Sequence, residues 1–253
     1  MRPRLAVCHR PTDTLAGTVE LALECGDRAG VEITIDPEDG VAIAPLADAL
    51  RREGLPARYH FPLCGHGFSS ADSDEASVAE RAVSRLIGFV SDCGGSHLTV
   101  HAALPSGSRE GDRFQRTAER LARLVETGAR SGVRICLENL RWGDTSDPLS
   151  FLALVESADA GVTLDIGHAS SSAAAGLGFG AERFVSLMSP RIETAHVYEY
   201  EDHDGHHAPL GLEPMVHTLR ALCETGCDWW TIELHDRDET ARTCRLVRDF
   251  FDA

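Results

Sequence analysis

The sequence predicts a single α/β domain over residues 1–253, folded as a (β/α)8 TIM barrel. Three observations predict it. The chain has 253 residues, a length ordinary for one such barrel. Strand-like and helix-like stretches alternate eight times, and helical crossovers join parallel strands into a helix-covered sheet. Several of the strands end on His, Asp or Glu, as expected of a barrel that carries its site at the carboxyl ends of its strands. The open doubly wound alternative lacks a G-x-G-x-x-G after strand one, and GLGFG at 176–180 follows no strand directly.

In order along the chain, Arg4 to Cys8 is a short apolar run and the first strand. Thr14 to Cys25 has helical spacing, with Leu15, Val19 and Leu23 on one face and Gly26 as the stop. Gly30 to Asp36 alternates apolar and polar as a strand does, and Val41 to Glu53 returns to helical spacing. Ala57 to Leu63 is strand three, with His60 near its end. Glu75 to Cys93 reads as a long amphipathic helix with Val78, Ala82, Leu86 and Phe89 on its face, ended by Gly94-Gly95. His97 to Leu104 is strand four, carrying His101, and Asp112 to Arg130 is a helix with Phe114, Leu121, Leu124 and Val125 as its stripe.

Strand five lies within Val133 to Leu140, where Val133, Ile135 and Leu137 are apolar and Glu138 marks its end. Asp147-Pro148 has the N-cap and first-turn residues of a helix. Gly161 to Ile166 is strand six, ending near Asp165, and Ser170 to Gly180 is small, polar and read as loop. A short helix spans Ala181 to Met188, and strand seven, Ile192 to Tyr198, carries His196. Glu201 to Gly211 reads as a histidine-rich loop, Leu212 to Thr225 as a helix, Asp228 to Leu234 as strand eight with Glu233, and Glu239 to Phe251 as the closing helix.

Composition narrows the function. Hydrophobic content of 43% and charged content of 25% are those of a soluble globular protein. No run of ~20 apolar residues exists to span a membrane, and MRPRLAVCHRPTD lacks the apolar core of a secretory signal, so the expected location is cytoplasmic. The net charge of −16 argues against a nucleic-acid partner, which is held by basic side chains. All 24 basic residues are Arg, and a chain without lysine cannot run Schiff-base aldolase, pyridoxal or P-loop chemistry in the usual form. The eight cysteines form no CxxC pair and are expected to be reduced, mostly buried thiols rather than a zinc site or a disulfide frame.

The chemistry is carried by the polar strand ends His60, His101, Glu138, Asp165, His196 and Glu233. One such histidine is as readily a hydrogen-bonded core residue as a ligand. Glu138 alone could cap a helix or pair with Arg141, and Asp165 alone could start a turn. Together, converging on one mouth, they point to a divalent cation, because buried carboxylates without a partner are costly and a mixed N and O donor set suits Zn, Mn, Co, Fe or, less well, Mg. The core set is Glu138, Asp165, His196 and Glu233; His60 and His101 are candidates for substrate oxygen or a second metal. His168 is placed to bind substrate or a second metal, Asp204, His206 and His207 lie in the following polar loop, and Glu32 and His235 are expected to line the mouth. Trp142, Phe68 and Trp229 are candidate apolar walls, and Arg141 and Arg109 candidate phosphate contacts.

The motifs ENL around Glu138, LDIGH at 164–168, HVYEY from His196 and IELHD around Glu233, in this order over nearly the whole chain, resemble the xylose-isomerase-like barrel superfamily. That superfamily includes sugar epimerases, hydroxypyruvate isomerase, inosose dehydratases and endonuclease IV. The resemblance to the ketose 3-epimerase and hydroxypyruvate isomerase branch implies one divalent metal on Glu138, Asp165, His196 and Glu233. It also implies that Glu138 and Glu233 are the catalytic acid and base and that His168 contacts substrate. Dimers or tetramers are frequent in that branch, so a homo-oligomer is a possible partner state alongside a small-molecule substrate. The endonuclease IV branch implies instead three zincs on nine residues, matched here by His60, His101, Glu138, Asp165, His168, His196, Asp204, His206 and Glu233. Asp204-Gly205-His206 followed by Leu210-Gly211 is the most specific part of that match. The acidic surface departs from it. The expected activity is a metal-dependent isomerase or epimerase of a small sugar, polyol or related hydroxy-carbonyl compound, with a dehydratase or a multinuclear hydrolase as alternatives.

Overall fold

Strand closure is complete in this computed structural model, which describes residues 2–35, 43–62, 67–109 and 111–252. Among those residues eight parallel strands form the barrel: β1 (Arg4–His9), β2 (Gly30–Thr34), β3 (Ala57–Phe61), β4 (His97–Val100), β5 (Arg134–Glu138), β6 (Gly161–Asp165), β7 (Ile192–Val197) and β10 (Trp229–Ile232). β1 pairs with β2 on one side and β10 on the other, which closes the ring. The predicted ends of strand two at Asp36 and strand three at Leu63, the start of the second helix, and Cys64 lie outside the described residues.

Successive strand residues face opposite sides. One set is apolar and buried: Val31 and Ile33, Tyr59 and Phe61, Leu98 and Val100, Ile135 and Leu137, Val162 and Leu164, Trp230 and Ile232. The other set includes the buried polar residues Glu32, Arg58, His60, Thr99, Glu138, Thr163, Asp165, Thr194, His196 and Thr231, and some of them meet across the lumen. Arg58 donates to Thr194 Oγ1 at 2.6 Å, and Thr99 and Thr163 share a hydroxyl hydrogen bond of 2.7 Å. The polar strand ends are thus the upper part of a polar lumen, and the apolar set faces the helices.

The helices are α1 (Leu15–Cys25), α2 (Ile43–Arg52), α3 (Ser73–Asp92), α4 (Asp112–Ser131), α5 (Pro148–Ala158), α6 (Ile166–Ser171), α7 (Ala181–Met188), α8 (Val216–Thr225) and α9 (Arg237–Asp252). Side-chain oxygens of Thr14, Asp72 and Asp147 accept from first-turn amides and start α1, α3 and α5. The buried stripe of α4 includes Phe114, Leu121 and Leu124 as the spacing predicts, with Val125 at its half-buried margin. Two other faces differ. α3 buries Ala76, Val83, Ile87 and Val90 and leaves Val78 57% exposed; α1 buries Thr18, Ala22 and Cys25 and leaves Leu23 60% exposed. In both, two apolar stripes overlap, and packing against the barrel selects the one made of smaller or β-branched residues.

Three further expectations are corrected. Part of the predicted loop at 170–180 is structured: α6 runs to Ser171, and Ala175–Leu177 is a 3-10 turn. The histidine-rich loop is a hairpin of β8 (Tyr200–Asp202) and β9 (Gly205–His207), and α8 begins at Val216 rather than Leu212. Cys25 and Cys244, 219 residues apart, are disulfide-bonded, so the expectation of reduced thiols fails for this pair. Barrel closure sets α1 against α9, a proximity that cysteine spacing does not reveal. No helix among the described residues is long and apolar enough to cross a membrane.

Candidate metal centre

Four strand ends deliver the central group. Glu138 closes β5, Asp165 closes β6, His196 is next to last in β7, and Glu233 follows β10 directly. One donor atom of each lies within 4.8 Å of the others. His196 Nδ1 is 2.7 Å from Glu233 Oε2, 3.6 Å from Glu138 Oε1 and 3.8 Å from Asp165 Oδ2. Yet His196 Nδ1 and Glu233 Oε2 are buried without a hydrogen-bonding partner of good alignment. Close donor atoms that leave one another unsatisfied are a poor polar core and a good cation cradle, since a cation gives all their lone pairs one direction. Three carboxylates with one imidazole fit Zn, Mn, Co or Fe.

Local sequence explains the alignment. The Asn139 carboxamide donates to the Asp165 carbonyl at 2.8 Å and accepts from the Asp165 amide at 2.9 Å, locking the ends of β5 and β6 together. Asp165 Oδ1 accepts from the His168 amide at 2.6 Å and so caps α6, while Oδ2 accepts from the Tyr198 hydroxyl at 2.9 Å. Gly167 makes this possible: a Cβ there would meet the Tyr198 ring at 2.0 Å. The ENL and LDIGH motifs therefore supply both candidate donors and their brace.

Three more groups adjoin the centre: Glu32, His60 and His196 form a wholly buried one, and two others line the mouth cavity. His60, His101 and Glu138 form one; His60 Nε2 and His101 Nε2 are 3.1 and 3.0 Å from Glu138 Oε2. His168, Glu201 and His206 form the other, with His168 Nε2 3.0 Å from Glu201 Oε2. His168 Nδ1 donates to the Asn139 carbonyl and His206 Nδ1 to the Glu233 carbonyl, at 2.9 and 2.7 Å, so in the neutral form of each ring Nε2 carries the lone pair.

Charge coupling is strong throughout. Burial alone would raise Glu138, but His101, His196 and His60 hold it well below the ordinary carboxylate range. Glu233 is likewise lowered against burial, chiefly by His196. Burial opposes the charged forms of His196, His168 and His60, yet the surrounding carboxylates raise all three, the first two strongly.

Of the residues picked out in the sequence, His60, His101, Glu138, Asp165, His168, His196, His206 and Glu233 lie in these adjoining groups. Asp204 does not. It sits in the turn between β8 and β9, largely exposed, with His203 3.4 Å away. Glu201 takes the inward place, because β8–β9 pairing sets Glu201 directly opposite His206. The Asp204-Gly205 dipeptide, where the His203-Asp204 turn meets β9, is the sequence signal for that hairpin. Glu32 does not line the mouth but lies wholly buried beneath it. Arg141 pairs with Glu201 at 3.0 Å. Trp142 and His235 line a mouth cavity of about 490 Å³; Phe68 is fully buried core, and Trp229 is buried under the Arg58 guanidinium, 4.7 Å from its ring. Asn139 and Tyr198 carried no strand-end signal as site residues.

Comparison with known proteins agrees with this architecture. Residues 16–250 match the family described as xylose isomerase-like TIM barrel. An uncharacterised protein of Methanocaldococcus jannaschii is 28% identical over 159 residues, 63% of this chain and 68% of that protein. Among solved structures, a D-tagatose 3-epimerase-like protein superposes with a TM-score of 0.79 at 18% identity, covering 98% of this chain and 97% of its own. D-allulose 3-epimerase from Methylomonas sp. in complex with D-allulose gives 0.76 at 19% identity over 99% and 97%. The 3-keto-D-glucoside 4-epimerase of E. coli gives 0.75 at 14% identity over 98% and 100%.

Proposed function

The chain belongs to the xylose isomerase-like TIM barrel family, and from that premise we propose that it is a divalent-metal-dependent isomerase or epimerase of a small sugar, polyol or related hydroxy-carbonyl compound. The observation that carries the reading is the convergence of Glu138, Asp165, His196 and Glu233 at the barrel mouth. These four would hold the metal, whose charge would acidify the carbon next to a substrate carbonyl. The cavity above them, about 490 Å³, is of a size for such a substrate. The fold likeness to ketose 3-epimerases supports that substrate class.

Glu138 and Glu233 are the acid–base pair of this reading. Both are held below the ordinary carboxylate range, so both are anionic at neutral pH and either can accept a proton from carbon. The second glutamate, once it has taken a proton from solvent, would return one from the opposite side and invert the centre; return of the abstracted proton to the neighbouring carbon would isomerise the substrate. His60 and His101 hold Glu138 Oε2, which leaves Oε1 toward the central group. Trp142 and Arg141 bound the cavity on the side of the β5 loop.

The test is proton exchange. Metal-loaded protein is incubated in D2O with a panel of keto-sugars and hydroxy-carbonyl compounds, and NMR follows exchange, isomerisation and loss of a β-hydroxyl. Exchange with rearranged product supports the proposal, with a loss of about 100-fold or more in Glu138→Gln and Glu233→Gln. Elimination of the hydroxyl would make the enzyme a dehydratase. No exchange with any compound under any of Mn2+, Co2+, Zn2+ or Mg2+ overturns the reading.

A second reading has its own observation. The groups His60/His101/Glu138 and His168/Glu201/His206 flank the centre, the first sharing Glu138 with it and the second meeting it where His168 Nδ1 lies 3.2 Å from Asp165 Oδ2, so the site has donors for up to three metals. A multinuclear site favours hydrolysis of a phosphodiester or similar bond. The net charge of −16 weighs against nucleic acid as that substrate.

A further inference from the structure

Glu32 is a charged side chain in the middle of β2 with no exposure to solvent. A carboxylate there is costly unless its oxygens are used, so its neighbours define its role. Oε2 accepts from the Thr231 hydroxyl at 3.3 Å, and Thr231 Oγ1 in turn accepts from the Trp229 indole N–H at 3.1 Å. The indole proton takes up a lone pair of Thr231, and the hydroxyl's own proton goes to Glu32. Oε1 and His196 Nε2 lie 2.8 Å apart, and both are buried atoms that make no hydrogen bond in this structure. His60 Nδ1 stands farther off, 3.8 Å from the same oxygen.

The opposite edge of the His196 ring faces the central group, with Nδ1 next to Glu233, Glu138 and Asp165. A neutral imidazole carries one proton, and the nitrogen that carries it cannot offer a lone pair. A carboxylate behind the ring fixes which nitrogen that is. Resting on the metal reading given above, we propose that Glu32 is a positioning residue that keeps the His196 proton on Nε2 and thereby presents Nδ1 to a divalent metal. Trp229, Thr231, Glu32 and His196 then form one polar column from low in the lumen to the metal centre, held by β10, β2 and β7. Its members come from strands far apart in sequence, and Glu32 has the place of an ordinary alternating strand residue.

The experiment uses wild type, Glu32→Gln, Glu32→Leu and Thr231→Val. Chelator competition measures Zn2+ and Co2+ affinity, circular dichroism checks the fold, and two-bond 15N–1H correlations locate the His196 proton in the Zn2+-loaded protein. Glu32→Leu is expected to weaken metal binding by roughly 10- to 100-fold. Glu32→Gln, whose amide oxygen accepts the same proton without charge, is expected to recover part of the loss, and Thr231→Val to lose less. The wild-type proton is expected on Nε2. A wild-type proton on Nδ1, or folded Glu32 variants that bind metal as wild type does, overturns the assignment. If Glu32→Leu does not fold, the wild-type proton position and the Glu32→Gln affinity decide it. A wild type that takes up no metal overturns the metal reading itself, whereas equal binding by wild type and Glu32→Leu overturns only the role of Glu32.

Discussion

Asn139 and Asp165 are joined by two hydrogen bonds that extend the β5–β6 pairing through a side chain: 2.8 Å from the carboxamide to the Asp165 carbonyl and 2.9 Å from the Asp165 amide to the carboxamide oxygen. Both residues are fully buried. Replacing Asn139 by Leu leaves a backbone donor and acceptor dry, at about 1–3 kcal/mol each. A loss of several °C in Tm is expected, at about 2–4 °C per kcal/mol for a chain of this size. Because Asp165 is also displaced, metal affinity falls with stability, and a variant with wild-type Tm and wild-type metal uptake would refute the brace.

The pH dependence of the metal-free protein follows from opposed shifts. Glu138 and Glu233 sit below their ordinary 4.5, so their stabilisation is present above pH 4.5 and lost as pH falls through the lowered values. His60, His168 and His196 sit above 6.5, so theirs is complete below pH 6.5 and lost as pH rises through the raised values. Thermal scans without metal should therefore peak between about pH 4.5 and 6.5 and decline on both sides. Metal binds the deprotonated ligands, so the Tm gain on adding Zn2+ should grow with pH. A gain that shrinks from pH 6 to about pH 8 contradicts the donor set.

His206 separates one metal from several. Its Nε2 belongs to the group with His168 and Glu201, outside the central four. For the isomerase reading, elemental analysis of His206→Ala should give the same metal content as wild type, about one per chain. A wild type with two or three metals, lowered in His206→Ala, moves the assignment to the hydrolytic alternative.

The Cys25–Cys244 disulfide closes a loop of 219 residues and joins the first helix to the last. Crosslinks of long loops typically stabilise by about 2–4 kcal/mol, largely through the unfolded chain. Reduction, or the double change Cys25→Ser with Cys244→Ser, should lower Tm by about 4–16 °C, taking about 2–4 °C per kcal/mol. Alkylation and intact-mass measurement of protein isolated without reductant should find one disulfide, and wholly free thiols would contradict it.

Much of the centre was legible in the chain because polar residues at strand ends leave a local trace: an apolar run, then a carboxylate or imidazole, as at Glu138 after Ile135–Leu137 and Asp165 after Leu164. Glu201 and the helix around His168 were missed for local reasons, a turn signal and a capping side chain read as loop. Asn139 and Tyr198 were missed because their work is on a partner strand; nothing beside Tyr198 in sequence says that its hydroxyl reaches Asp165.

The sequence by itself determined the alternation of strands and helices and the residues that gather at the mouth, since both follow from side-chain period and strand direction. Only the tertiary structure decided which of two overlapping helix stripes packs inward, that Glu201 and not Asp204 faces the site, that Cys25 meets Cys244, and that Glu32 stands behind His196. The reason is closure: joining β1 to β10 makes neighbours of residues more than two hundred positions apart, and their contacts depend on register around the ring, which no local pattern contains.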